Sequence, residues 1–485
     1  MGVSTKHQLN MKPFLKKILL ITCFFYSESS WTNVHSFLRP RSLSQNMALQ
    51  YSQFNYSLYH LYRKDTQQPF YSSQYMTFYF ASTNDASLRH YFLPDNANKL
   101  RIEQNNTSDI SSPQLSITRN IDAEYQSFVS IQPQRRTVGG AFGYFFGLGN
   151  FWFDVFAPVA HVQNNLNFSE QELSGQGNVP GIPNARAALN NSDWSAGKFP
   201  VQAETKNGFD DVLFRMGYDA SKDIFGHHHV SPYVFVNVPT GHRSTAASIF
   251  EATMGSGGHV GAGFGINWDY WWWDYAVGQH AIFGDIRYGF WASGTECRSF
   301  DLNNGDLSRY LQVANKNNPC YALPGINQFT QCVAVEPGST VQIILGVHSN
   351  FRNLNFEWGY NLWWRQREKI TLQNNQLSDY VVFDIVGAVC GDCTSASNAK
   401  ISQGVPGLQE PTSDACTKPL KSDDLNLLSG AQPVSLSSTV YTSVGADWFI
   451  GPIPNFFALA FYYEFAHYQG TIAQAGGSFK YGFRF

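Results

Sequence analysis

Charge is scarce in this chain. Asp, Glu, Lys and Arg make up 14% of its 485 residues, against about 25% in ordinary globular proteins. The two signs nearly cancel to a net charge of −3, which leaves no excess for the basic stripe a nucleic-acid-binding surface needs. No run approaches the ~18 consecutive apolar residues of a helical membrane span. Cysteine is sparse at seven residues. Aromatic side chains (16%) and glycine (40 residues) are plentiful, among many Asn, Ser and Gln. That mixture suits strands with one greasy and one wet face, joined by polar loops.

The first residues read as an export signal. Lys12, Lys16 and Lys17 precede an apolar run over 18–26, and 27–30 is small and polar, the layout of a secretory signal peptide spanning 1–30. Met11 fits as the true start. Cys23, in Leu20-Ile21-Thr22-Cys23, sits in a poor lipoprotein box and leaves with the signal. Six cysteines then remain: Cys297, Cys320, Cys332, Cys390, Cys393 and Cys416. An even number in an exported chain predicts disulfides. Cys390-Gly-Asp-Cys393 has the spacing of a redox motif or half a zinc site, but no second close pair and no βαβ context accompany it. Loop staples are the reading, with no metal and no cofactor expected.

The last strand sets the fold class. Phe479, Tyr481, Phe483 and Phe485 alternate with Ser478, Lys480, Gly482 and Arg484, so one strand face is wholly aromatic and the other polar or small. On a soluble sheet edge this would leave aromatic surface and unpaired backbone open to aggregation. In lipid it is what a closed barrel requires, with hydrocarbon outside and water inside. The segment resembles the C-terminal signature of bacterial outer-membrane β-barrels. The resemblance implies a bacterial outer-membrane address, a lipid bilayer as partner, recognition of the last strand by the barrel-assembly machinery, and closure against the first strand.

Similar alternation recurs at about 125–134, 139–148, 151–162, 210–218, 230–239, 260–270, 281–291, 341–349, 354–365, 438–446, 456–466 and 477–485, mostly near the ~9–11 residues a tilted membrane strand needs. The expectation is an all-β, antiparallel up-and-down transmembrane barrel over 125–485, of about twelve strands within a range of about 10–16, with long extracellular loops. With the last strand descending, the short connections fall on the periplasmic side and the long ones outside. The alternating run 379–387 would break this parity and is assigned to an outer loop as a hairpin. All six mature cysteines then lie in the two largest outer loops. Residues 31–124 sustain no period, although 74–80 looks like a strand; they read as a periplasmic segment, a luminal plug or additional strands. Trp271-Trp272-Trp273 and Trp448-Phe449 fall at inner turns, where aromatic rings favour the interface.

Opposite the apolar faces lie Asp154, Arg215, Asn267, Asp269, Asp285, Arg287, Gln342, His348, Asn355, Glu357, Asn361, Arg365, Tyr462, Glu464, Lys480 and Arg484. An Arg or Lys against hydrocarbon would cost roughly 2–4 kcal/mol at the midplane, so their confinement to one face is informative. They suit either a water-filled path biased by fixed charge or a salt-bridged interior. The pore-lining candidates are Arg215, Asp285, Arg287, Glu357, Arg365 and Glu464. The expected function is passive, porin-like passage of small solutes; the alternative is a surface scaffold whose disulfide-stapled loops bind a partner. No enzyme is expected. Ser256 and His259 in Gly255-Ser256-Gly257-Gly258-His259 are close in sequence but read as a flexible glycine loop, not a triad. His227-His228-His229 reads as a solvated turn, and Val238-Pro239-Thr240-Gly241 as a strand end at the outer rim.

Overall fold

The computed structural model describes residues 34–47, 50, 70–83, 89–94, 99–103, 108–118, 124–222, 228–275, 278–373, 376–383, 393–394, 396–402, 419–468 and 470–484. The signal expected at 1–30, Cys390, Cys416 and the terminal Phe485 lie outside these, as do the side chains of Cys320, Trp272, Trp273 and Arg484.

Twelve antiparallel strands close on themselves. They are β1 (Phe70–Thr83), β2 (Gln134–Leu148), β3 (Phe151–Asn165), β4 in two pieces (Glu204–Phe209 and Val212–Tyr218), β5 (His228–Val238), β6 (Gly261–Tyr275), β7 (Gly278–Trp291), β8 (Thr340–Phe351), β9 (Leu354–Arg365), β10 (Ser435–Ile450), β11 (Ile453–Ala466) and β12 (Gln474–Arg484). Each pairs with its neighbours in chain order, and β12 pairs with β1, with Phe479 opposite Phe78, which completes the ring. Closure removes the exposed edges that lipid would not tolerate.

Strand count agrees with the sequence reading, but one member differs. The segment 125–134 is not a barrel strand. Gln126–Ser130 pairs instead with Leu100–Glu103 and Ser169–Ser174 outside the barrel, where Val129 and Ile131 are fully buried. The barrel begins with Phe70–Thr83 instead of at 125. Its Met76, Phe78 and Phe80 face outward while Tyr75, Thr77 and Tyr79 face in. Alternation marks a two-faced strand; it does not say whether the apolar face meets lipid or a protein core.

The outward faces form a continuous apolar surface, with Phe142, Phe153, Phe214, Val234, Phe264, Ile286, Trp358, Val440, Phe461 and Tyr481 among its exposed members. Short turns join strands at one end. Two of them use left-handed glycines, Gly149 (φ +61°) and Gly451 (φ +61°). The long connections all emerge at the other end, and they are not loose. Residues from all of them build one hydrophobic core, including Tyr91, Leu100, Trp194, Phe250, Phe300, Phe329, Leu425 and Ile472. This cap contains four small sheets among the described residues. One holds Gly294–Ser299 against Thr330–Glu336, cross-linked by a Cys297–Cys332 disulfide between facing residues. Cys393 is also disulfide-bonded. Tyr380–Phe383 pairs with Cys393–Thr394 in another of these sheets, so residues 379–383 of that alternating run contribute to the cap, and 384–387 lie outside the described residues.

The segment at 34–50 leaves the cap and enters the barrel. Val34 and Leu38 belong to the cap core, whereas Met47 packs against inward residues of the wall. Gln50 reaches the barrel's middle, where its carbonyl accepts from Lys480.

Candidate luminal site

Because side chains alternate along each strand, every second residue of the wall points at this segment. All six pore-lining candidates, Arg215, Asp285, Arg287, Glu357, Arg365 and Glu464, face the interior and are buried. They do not converge. Arg215 donates from Nε and Nη2 to the same oxygen of Asp154, at 2.8 and 2.7 Å; the two are cross-strand partners on β3 and β4. Asp285 accepts from the Tyr233 hydroxyl at 2.7 Å. Arg287 donates to that hydroxyl's oxygen and to the Gln50 side chain, each at 3.2 Å. Glu357 accepts from Tyr441 at 2.7 Å and lies 3.9 Å from His348.

Arg365 and Glu464 sit nearer the cap. Arg365 donates to Ser435 at 3.1 Å, and its guanidinium lies 5.3 Å from the centre of the Trp363 ring. Glu464 is bound by Arg41 at 3.1 Å, Ser437 at 2.6 Å and Gln474 at 2.8 Å. Buried charges of this kind persist only when paired, and here the chain at 34–50 supplies part of the pairing.

That segment is held along its length by polar contacts. Arg39 bridges Glu296 and Glu368 of the cap, and Arg298 stands beside the same two carboxylates. Burial pushes the Glu296 carboxyl up, but Arg298 and Arg39 outweigh it and hold the group well below the usual carboxylate range. Ser42 and the Leu43 amide donate to Asp210, at 2.5 and 3.3 Å. Asp210 and Asp211 interrupt β4, and the Gly255 amide, at 3.2 Å, binds Asp210 as well. Gln45 offers its carbonyl to Gln342 at 2.9 Å.

Several of these partners were not anticipated. Arg39, Arg41 and Gln50 lie in a stretch with no strand period, and nothing in their spacing aims them at a lumen. Trp363 did carry a signal, as the single bulky aromatic on the polar face of β9. It is 1% exposed, and Arg41 as well as Arg365 lies against its ring.

Three local expectations change. His229 is not in a solvated turn: it is buried and held between Asp219 at 2.9 Å and Asp269 at 3.2 Å, since it shares the inward parity of Ser231, Tyr233 and Phe235 on β5. His228 is exposed, and His227 lies outside the described residues. The 255–259 stretch is a packed turn, not a flexible loop. Gly255, Gly257 and Gly258 have φ of +72°, +73° and +88°, which side chains disfavour, and a Cβ at Gly257 would strike Glu296. Ser256 donates to the His259 carbonyl at 2.8 Å, and the His259 ring is spent on Glu296 at 2.7 Å. Trp271, placed at an interface girdle from sequence, points inward against His348.

No protein-family model matches the chain, and no curated protein does. Among solved structures it is similar to an outer membrane channel from Pseudomonas putida F1 (7% identity, TM-score 0.37, covering 87% of this chain and 97% of that one). It is also similar to the NanC porin (10%, 0.24, 74% and 96%) and the translocator domain of the autotransporter NalP from Neisseria meningitidis (8%, 0.30, 87% and 90%). Identification therefore stands on the chain's own strand pairing and surface. A closed ring of twelve antiparallel strands, apolar outside and charged within, with short turns at one end and long connections at the other, is a transmembrane β-barrel of the bacterial outer membrane.

Proposed function

We propose that the protein is a channel for passive passage of small solutes through the barrel, kept closed at rest by its own segment at 34–50. One observation carries this reading. The segment is fixed to the wall and cap mainly by hydrogen bonds and ion pairs, from Arg39, Arg41, Ser42 and Gln50, on a charged wall that water would readily solvate once it left. An interior meant to stay shut could be filled with apolar side chains at less electrostatic cost. No enzymatic role is assigned; Ser256 and His259 do not form a nucleophile–base pair.

Conductance in a planar bilayer tests this. The full-length protein should show rare, brief openings. The double variant Arg39→Ala/Arg41→Ala should raise the open fraction by about tenfold or more, since each loses a charged contact of roughly 1.5–3 kcal/mol. A barrel that inserts but gives no steps in either form would remove the channel reading. The scaffold alternative draws on a different feature, the disulfide-braced cap, whose Asn318–Pro324 strand carries Tyr321 at 68% exposure. Cell binding that is lost on deleting 318–324 while conductance stays unchanged would favour it.

A further inference from the structure

Between the luminal segment and the wall lies a small cleft with an open mouth. Its polar groups are unevenly matched. Both carboxylates that line it are saturated. Asp210 accepts from Ser42, Leu43 and Gly255, and Glu464 from Arg41, Ser437 and Gln474. The donors are not saturated. Arg41 Nη1 and the indole Nε1 of Trp363 are buried without a hydrogen-bond partner, as is Nε of the neighbouring Arg365. The Arg41 side chain is 4% exposed and Trp363 is 1% exposed, and both line the cleft.

Unmet buried donors are costly, and here they point to a ligand that accepts. The formal charges of the lining balance, Arg41 and Arg135 against Asp210 and Glu464, but the carboxylates are already satisfied while Arg41 keeps an unmet donor. A guanidinium with a free N–H is matched by a carboxylate, which takes parallel charge-assisted bonds. The remaining walls are aromatic or aliphatic, from Trp363, Tyr462, Leu43, Val162 and Ile472, so the body of the ligand should be apolar.

We infer that this cleft is a binding site for a small organic monocarboxylate, its carboxylate on Arg41 and Trp363 and its apolar body against the aromatic wall. The inference deepens the channel reading, on which it rests for the solute's access to the lumen, and it names the solute class.

Calorimetric titration of the refolded full-length protein with benzoate, its neutral counterpart benzamide, and inorganic phosphate tests it without measuring transport. Benzoate should bind saturably and about tenfold or more tighter than either control, the scale of a charge-assisted hydrogen bond. Trp363→Phe keeps an aromatic side chain but removes the indole N–H along with part of the ring system, so benzoate should weaken by about three- to tenfold relative to benzamide, which reads the loss of packing alone. Arg41→Gln should weaken benzoate by about tenfold or more. Equal binding of benzoate and benzamide overturns the site, as does benzoate binding unaffected by both variants, or by Trp363→Phe alone if Arg41→Gln does not fold. Phosphate binding as tight as benzoate overturns the organic class. Benzoate binding without single-channel steps would sink the channel reading and leave the site; steps without benzoate binding would do the reverse.

Discussion

The barrel wall and the cap are inside-out versions of one another. On the wall, Phe264, Trp358 and Phe461 are more than half exposed, while Asp154, Asp285, Glu357 and Lys480 are buried. In the cap, Phe300, Phe329 and Ile326 are fully buried, in one core drawn from every long connection. Both regions use strands with the same two-residue period. What differs is the solvent on each side. Lipid takes up the wall's apolar face, so its polar face must satisfy itself inward. The cap stands in water and must hide its apolar residues from it. One chain thus satisfies opposite burial rules within a few residues of each strand's end.

Truncating a core aromatic should give the largest effect, and it should fall on the cap. Phe329→Ala removes a fully buried ring and should destabilise the cap by about 3–5 kcal/mol. The barrel should keep its strands, because their pairing does not pass through this core. Protease digestion of the cap, run beside the heat-dependent gel shift of the barrel, reads the two separately. Loss of the gel shift at the same denaturant concentration as cap cleavage would show that the regions unfold together.

A charge placed on comparably exposed aromatics should separate the two regions by the solvent each one meets. Phe461 on the wall is 58% exposed and Tyr321 on the cap is 68% exposed, so area alone treats them alike. Phe461→Arg should cost about 2–4 kcal/mol in folding into lipid vesicles, while Tyr321→Arg should fall within about 0.5 kcal/mol of wild type. Equal costs would mean that Phe461 does not meet hydrocarbon.

Sequence alone carries the wall well and the cap poorly, for a physical reason. Phe457, Leu459, Phe461, Tyr463 and Phe465 declare their face because a strand's period is local. The same period misassigns 125–134, whose buried Val129 and Ile131 look no different from lipid-facing residues. Closure against Phe70–Thr83 depends on a pairing about 400 residues away in the chain, which is beyond any local pattern. The cap core brings Tyr91, Phe250, Phe300 and Leu425 together from connections without periodicity. Inward parity places Arg215, Asp285, Arg287, Glu357, Arg365 and Glu464 correctly on a face. It does not reveal that Arg41 and Gln50 come from elsewhere to meet them. His229 was legible, since the parity of β5 already assigns it to the interior.

The smallest effect, a pH dependence confined to one region, tests whether cap and wall respond independently. His35 is buried in the cap, stacked on Tyr91 at 4.7 Å, and its Nδ1–H donates to the Ala431 carbonyl at 3.1 Å. Burial first, then the charges of Arg309 and Arg367, push its pKa from 6.5 down to about 4. The folded cap therefore holds this ring neutral, whereas the unfolded chain protonates it near pH 6.5. A group whose folded pKa is depressed contributes its stability above the unfolded value and loses it as pH falls toward the folded one. The contribution of His35 to cap stability should accordingly decline between about pH 6.5 and 4, by on the order of 1–3 kcal/mol, and level off below. Glu296, whose pKa is held down by Arg298 and Arg39, loses its own contribution in the same direction as pH falls through the unfolded carboxylate value below about pH 5, so the share of His35 is the difference between the wild type and a variant without this ring. In His35→Gln the amide can still donate to Ala431 but cannot gain a proton, so its denaturation midpoint should stay flat down to about pH 5 and fall less than the wild type's below. Parallel curves for the wild type and His35→Gln would assign the titration to another group, and a matching drift in the barrel's gel shift would show that the wall shares it.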